Sequence, residues 1–235
     1  MTMTTWTITG CSTGLGRSLA EAVLAAGHNA VVTARDVAKV QDLAAAFPDT
    51  ALAAPLDVTD KEQVARVAAQ AQDHFGSVDV LVNNAGYRAA VEEGDDKEVE
   101  DLFATNFFGT VSMIKAVVPG MRSRRSGTIF NVSSIAGRLA APGSGYCAAS
   151  KNDKTHGRQP GDPRRAATAL LELVGKSELP ARFLLGSDAV KIVGNELDSQ
   201  RREIDAWKEL SVSSDFQSGE RGRDEQAKGN ENAEA

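Results

Sequence analysis

Trp6 Thr7 Ile8 Thr9 runs into Gly10 Cys11 Ser12 Thr13 Gly14 Leu15 Gly16 and then into a helical-period stretch from Leu15 to Ala26. A short apolar strand, a turn with three spaced glycines and a helix follow one another without interruption. Glycine is required where a backbone turns sharply and lies against a diphosphate, whose charge then sits at the positive end of the next helix. A glycine-rich turn alone is a weak signal. Placed between a strand and a helix at the start of a β-α-β unit, it predicts a dinucleotide site.

Working outward, the same alternation recurs. Strands are expected at Trp6 to Thr9, Ala30 to Ala34, Ala51 to Leu56, Val78 to Val82 and Thr128 to Val132. Helices are expected at Leu15 to Ala26, Val37 to Phe47, Lys61 to Phe75, about Lys97 to Arg122, and from near Ser144. Gly27, Pro48 and Gly76 punctuate them as helix stops. Short apolar runs alternating with helical segments make the fold class α/β, with a parallel sheet.

The bulk properties agree with one globular domain: 235 residues, 42% apolar and 25% charged, with a net charge of -6. No basic cluster suggests nucleic acid, and no apolar run approaches bilayer length. Met1 to Thr5 lacks the features of a secretory signal, so a cytoplasmic location is expected. Cys11 and Cys147 are too few for a disulfide framework, and no spacing suits a metal. His28, His74 and His156 read as helix-end or loop residues.

The next strand ends in Val31 Val32 Thr33 Ala34 Arg35 Asp36, with Arg35 lying 19 residues beyond Gly16. An acidic residue at this place bonds ribose hydroxyls, whereas an arginine forks onto a 2′-phosphate. Arg35 therefore favours NADP(H) over NAD(H). Asp36 keeps NAD(H) open, or simply caps the next helix. Thr13, where a basic side chain would strengthen the preference, adds nothing.

Asp57 Val58 at the third strand, Asn83 Asn84 Ala85 Gly86 at the fourth, and Thr105 Asn106 in the long helix complete a pattern with the glycine turn. Together they resemble the short-chain dehydrogenase/reductase family, continuously from Trp6 to Lys151. The resemblance implies a Rossmann-type, doubly wound parallel sheet in a single domain, with the dinucleotide across the carboxyl ends of its strands. It assigns cofactor contacts to Gly10, Ser12, Thr13, Gly14, Leu15, Gly16, Arg35, Asp57, Val58, Asn84, Ala85, Gly86 and Lys151.

The family's catalytic tetrad is Asn, Ser, Tyr and Lys. The resemblance places Asn106, Ser134 and Lys151 in three of these positions, Ser134 being preferred to Ser133. The tyrosine should fall thirteen residues after Ser134 and four before Lys151, and Cys147 stands there. Tyr146 is adjacent, but at about 100° per residue it would point about 140° away from Lys151 on a regular helix, against about 40° for position 147. Only a local bulge would bring it round. A thiol ends at the γ position, several bond lengths short of a phenol oxygen, so Cys147 is expected to be an inadequate proton carrier.

After Lys151 the chain reads Asn152 Asp153 Lys154 Thr155 His156 Gly157 Arg158 Gln159 Pro160 Gly161 Asp162 Pro163. The resemblance implies a long helix and a further strand here, so residues 152–163 read as the junction of an internal deletion, natural or an error of gene reconstruction. A helix from Arg164 to Val174, a strand-like Ala181 to Gly186 and a charged helix from Ala189 to Leu210 follow. The domain is taken as residues 1–210, lacking one strand and most of one helix, with 211–235 a disordered acidic tail carrying -3 of the charge. The terminal strand must then pair with the fifth strand or stay detached. An uncovered apolar face beside strands four and five predicts marginal stability, and a homo-oligomer weakened by the lost helix. Two functions follow: an oxidoreductase of alcohol or carbonyl substrates, impaired or inactive, or a non-catalytic dinucleotide-binding protein. The turn is similar to members acting on steroids and retinoids, but the absent segment holds most of the substrate specificity.

Overall fold

The computed structural model describes residues 3–86, 96–133 and 161–215. Five strands form one parallel sheet: β1 (Thr5–Ile8), β2 (Asn29–Ala34), β3 (Ala51–Pro55), β4 (Val80–Asn83) and β5 (Thr128–Asn131). Their order is β3-β2-β1-β4-β5, with Trp6 beside both Ala30 and Val80, and Val82 beside Phe130. The chain winds outward from β1 to β3, returns to β4, and winds the other way. That reversal opens a crevice above the carboxyl ends of β1 and β4.

Side chains alternate across the sheet, so each face has its own core. Ile8, Val32, Val80 and Val82 pack beneath α1 (Gly14–Ala25), α2 (Gln41–Ala46) and α6 (Pro163–Val174). Val31 and Leu81 face the other way, onto α3 (Lys61–Phe75) and α5 (Thr110–Arg124). Trp6 stacks on Phe130 with ring centroids 6.5 Å apart. β1 and β4 are buried at every position, whereas β5 is half-buried, ends exposed and is the outermost described strand on its side of the sheet.

Local sequence explains the helix ends. Asp60 accepts from Glu62 N at 2.9 Å and Gln63 N at 3.1 Å to open α3, which Gly76 closes in a left-handed conformation. Those N–H groups hold the Asp60 carboxyl below the usual carboxylate range. Asp162 caps α6 by accepting from Arg164 N at 2.8 Å, with Pro163 in the first turn. Ala167 and Leu170 then bury in the same core as Leu19 and Val23, where α6 packs on α1.

Four expectations need correction. Val37 to Phe47 is a short 3₁₀ turn, Val37–Lys39, followed by α2, not one helix. The long helix is α4 (Asp96–Phe103), a π-helical turn Ala104–Gly109, and α5. From Asp96 to Arg124 it is long and apolar enough to cross a membrane by length and composition, contrary to the sequence reading. Its buried Leu102, Met113, Val117 and Met121 give it the face of a core helix. Lastly, Ala181 to Gly186 forms no strand. β-Structure needs a neighbour to hydrogen-bond, and no described strand lies beside this run.

Residues 1–192 and 193–235 are two compact units. The described part of the second is the continuation of α7 (Ser187–Val212), which extends two residues into the expected tail. The helix expected from near Ser144 lies outside the described residues.

Candidate active site

The turn after β1 is built by close backbone approach. Gly10 has φ +73°, and a Cβ there would lie 3.0 Å from Ala85 Cα. A Cβ on Gly16 would overlap both Asn84 Nδ2 and the Gly10 carbonyl oxygen. Gly14, at φ +61°, faces open space at the start of α1. Thr13, the residue before α1, is extended, and its hydroxyl caps no helix N–H. Backbone donors at a helix start, approached through a side-chain-free turn, suit the diphosphate of a dinucleotide. The residues present therefore fit such a group.

Asn84 clamps this turn from β4. Its Nδ2 donates to Thr9 O at 2.9 Å and to Gly10 O at 3.0 Å. The buried Thr9 hydroxyl accepts from Asn84 N and Ala85 N, both at 2.9 Å, and donates to Val82 O at 3.2 Å. Sequence reasoning missed Thr9. A polar residue ending a buried strand was the available signal.

Cys11 is fully buried, with N donating to Thr33 O at 2.7 Å and Sγ to Ile8 O at 3.2 Å. Burial pushes its thiol up to about 12, against smaller opposing effects of the Thr33 contact and the Arg17 charge. It pins the turn to β1 and β2 and is no nucleophile. Ser12 and Leu15 are half-buried in the same turn.

Arg35 is exposed at the end of β2, and Asp36 spends its carboxylate on Ala38 N at 3.1 Å. Nearby Arg17, also missed from sequence, is already engaged. It contacts Glu21 Oε1 at 2.9 Å, Lys39 O at 3.2 Å and both Asp42 oxygens, which keep the guanidinium firmly charged and the Asp42 carboxyl low.

Asp57 Oδ1 accepts from Thr59 N at 2.9 Å and Thr59 Oγ1 at 2.7 Å, at the end of β3. Val58 is buried against Gly109, where a Cβ would lie 2.6 Å from Val58 Cγ2. Asn106 sits in the π-helical turn, with Oδ1 3.5 Å from the place of a Cβ on Gly86. The turn thus brings Asn106 to the loop after β4, and π turns recur where a helix must re-aim a functional side chain. Asn83 Nδ2 donates to Asn131 Oδ1 at 2.8 Å, joining the ends of β4 and β5.

The described residues therefore bring together Gly10, Gly16, Asn84, Ala85, Gly86 and Asn106. Ser134, Tyr146, Cys147 and Lys151 lie outside them. Among the described residues no group of His, Cys, Asp or Glu is arranged to hold a metal.

Residues 4–154 match the family model of short chain dehydrogenases. The chain belongs to the short-chain dehydrogenase family. Among its relatives, an oxidoreductase of Botryotinia fuckeliana is 32% identical over 272 aligned positions, covering 89% of this chain and 98% of that protein. Three further curated relatives, an oxidoreductase of Penicillium decumbens among them, are matched over only 51% to 58% of their own length. A crystal structure of a short-chain dehydrogenase from Streptomyces avermitilis is 34% identical, with a TM-score of 0.83 over 92% of this chain and all of that one. An alcohol dehydrogenase of the archaeon Thermococcus sibiricus, solved with 5-hydroxy-NADP, shares the fold at 22% identity and a TM-score of 0.66, over 78% of this chain and 96% of its own. Short-chain dehydrogenases are oxidoreductases, and use of NAD(P) is general among them.

Proposed function

We propose that this chain is a short-chain oxidoreductase of alcohol or carbonyl substrates that holds NADP(H) in preference to NAD(H), with turnover impaired at Cys147. The observation that carries the dinucleotide half is the Gly10, Gly16 and Asn84 cradle, which any side chain would fill. Arg35, exposed beside that cradle and without the competing bonds that occupy Arg17, supports the 2′-phosphate preference.

When bound, the nicotinamide supplies or accepts the hydride. The chain must bind the diphosphate at Gly10 to Gly16, orient the ribose with Lys151, hold the substrate oxygen with Ser134 and carry a proton at position 147. Asn106 would order the water that refills that proton. A Cys147 thiol beside a lysine can ionise, but its sulfur stops short of the substrate oxygen. Lys151 then has no phenol to activate.

A segment lost after Lys151 is supported by the Botryotinia alignment, which uses 272 positions although this chain has only 235 residues. A weakened homo-oligomer, a small-molecule substrate and a cytoplasmic location accompany this reading. The test pairs cofactor-linked melting with turnover of alcohols and ketones. NADP(H) should raise the melting temperature more than NAD(H), Arg35→Asp should reverse that order, and Cys147→Tyr should raise turnover. Brisk turnover by the parent chain would overturn the impairment. Stabilisation by NADP(H) with no turnover in either form favours the second reading, a non-catalytic dinucleotide binder, for which the Cys147 substitution is the specific support.

A further inference from the structure

The second unit presents an ordered apolar stripe on α7. Leu197, Ile204 and Trp207 are 48%, 63% and 61% exposed, while Val193, one turn earlier, is buried. With Gln200 they fall at the first and fourth places of two successive seven-residue repeats, so all four lie along one side of the helix. Between Leu197 and Trp207 every exposed large apolar side chain of α7 lies on this seam, the form taken by helices that pair; Leu210 and Val212 extend the apolar surface beyond it.

The flanks of the seam differ in charge. One side carries Glu196 and Glu203, and the other carries Arg201 and Lys208. In a parallel two-stranded pair, each flank faces the opposite flank of its partner five residues further on. Glu196 would then meet Arg201 of a second copy, and Glu203 would meet Lys208. An antiparallel pair would set Glu against Glu and cation against cation. In the single chain, Arg201 turns to Asp205 at 3.0 Å and Gln200 to Glu196 at 2.8 Å, exposed contacts that exchange readily.

We propose that the Leu197 to Trp207 face of α7 is a homodimerisation surface, pairing in parallel and in register with a second copy of this chain. Gln200 meets its own equivalent across the two-fold axis, where a polar layer fixes register at some cost in stability. With only two repeats the pair is weak and dissociates on dilution.

Sedimentation equilibrium of the full chain over roughly a thousandfold range of concentration tests this. The parent should pass from monomer to dimer. Glu196→Lys with Glu203→Lys should pair at least tenfold more weakly, as should Arg201→Glu with Lys208→Glu, and mixing the two variants should restore a dimer. All four positions are on the surface of α7, so circular dichroism should show parental helix in both. Gln200→Cys should cross-link on mild oxidation, beyond any cross-linking of the parent, because parallel register brings the two positions together. A parent that stays monomeric, a dimer indifferent to both charge reversals, or no added cross-linking at position 200 would overturn the proposal.

Discussion

The Asn84 carboxamide donates to the Gly10 carbonyl oxygen at 3.0 Å, tying the loop after β4 to the turn after β1. The same nitrogen serves Thr9 O, so one side chain holds both lips of the crevice at a fixed separation. Asn84→Ala leaves two carbonyls without their donor. The expected cost is about 1–3 kcal/mol, with weaker NADP(H) binding, measured by denaturant unfolding with and without the dinucleotide. An unchanged midpoint in both conditions would contradict the clamp.

Gly10 and Gly14 both have positive φ but differ in surroundings. At Gly10 a methyl group meets the Ala85 backbone, which has no flexible end to move aside, whereas at Gly14 it meets nothing. Gly14→Ala should therefore cost only the backbone strain, about 1–2 kcal/mol. Gly10→Ala should cost clearly more. Unfolding of the two variants without dinucleotide checks the order, and equal losses would refute it.

Cys11 links stability to alkaline pH. Its folded thiol is pushed up to about 12 by burial, while the unfolded thiol ionises near 9.0. The raised value means that its contribution is fully present below pH 9 and is lost as pH rises through 12. Within that window the parent should lose up to about 1.4 kcal/mol per pH unit relative to Cys11→Ala, after subtracting the constant cost of the substitution. Parallel pH profiles for the two chains would show that Cys11 does not titrate differently on folding.

Gly109 lets α5 approach the end of β3. A Cβ there would strike Val58 Cγ2 at 2.6 Å and Val58 Cβ at 2.9 Å. Gly109→Ala should destabilise by about 1–3 kcal/mol through overpacking. Val58→Ala should relieve part of that loss, giving a favourable coupling of about 1 kcal/mol in a double-mutant cycle. Additive losses would mean that the helix shifts as a whole instead.

Sequence carries the parts of the fold where the backbone restricts residue type. Gly10 and Gly16 admit no side chain, and Gly76, read as a helix stop, closes α3 in a left-handed conformation. Strand positions follow from apolar runs buried on both faces, and the observed bounds shift by only one or two residues. The π-helical turn at Ala104–Gly109 is not legible in this way, because widening a helix by one residue leaves its composition unchanged. Ala181 to Gly186 fails for a different reason. Its apolar run has the composition of a strand, but strand formation depends on a neighbour elsewhere in the chain. Arg17 was overlooked because its partner Asp42 is 25 residues away, a distance that only tertiary structure closes.

The stacking of Trp6 on Phe130 has an optical consequence. Trp6 is almost wholly enclosed within the first unit, and Trp207, the second of the chain's two indoles, is solvent-facing in the other. Blue-shifted emission thus belongs to the sheet, and red-shifted emission to α7. Loss of the blue component during denaturation follows the exposure of Trp6 in β1, so one spectrum recorded through a melt reads the two units separately, without an added dye.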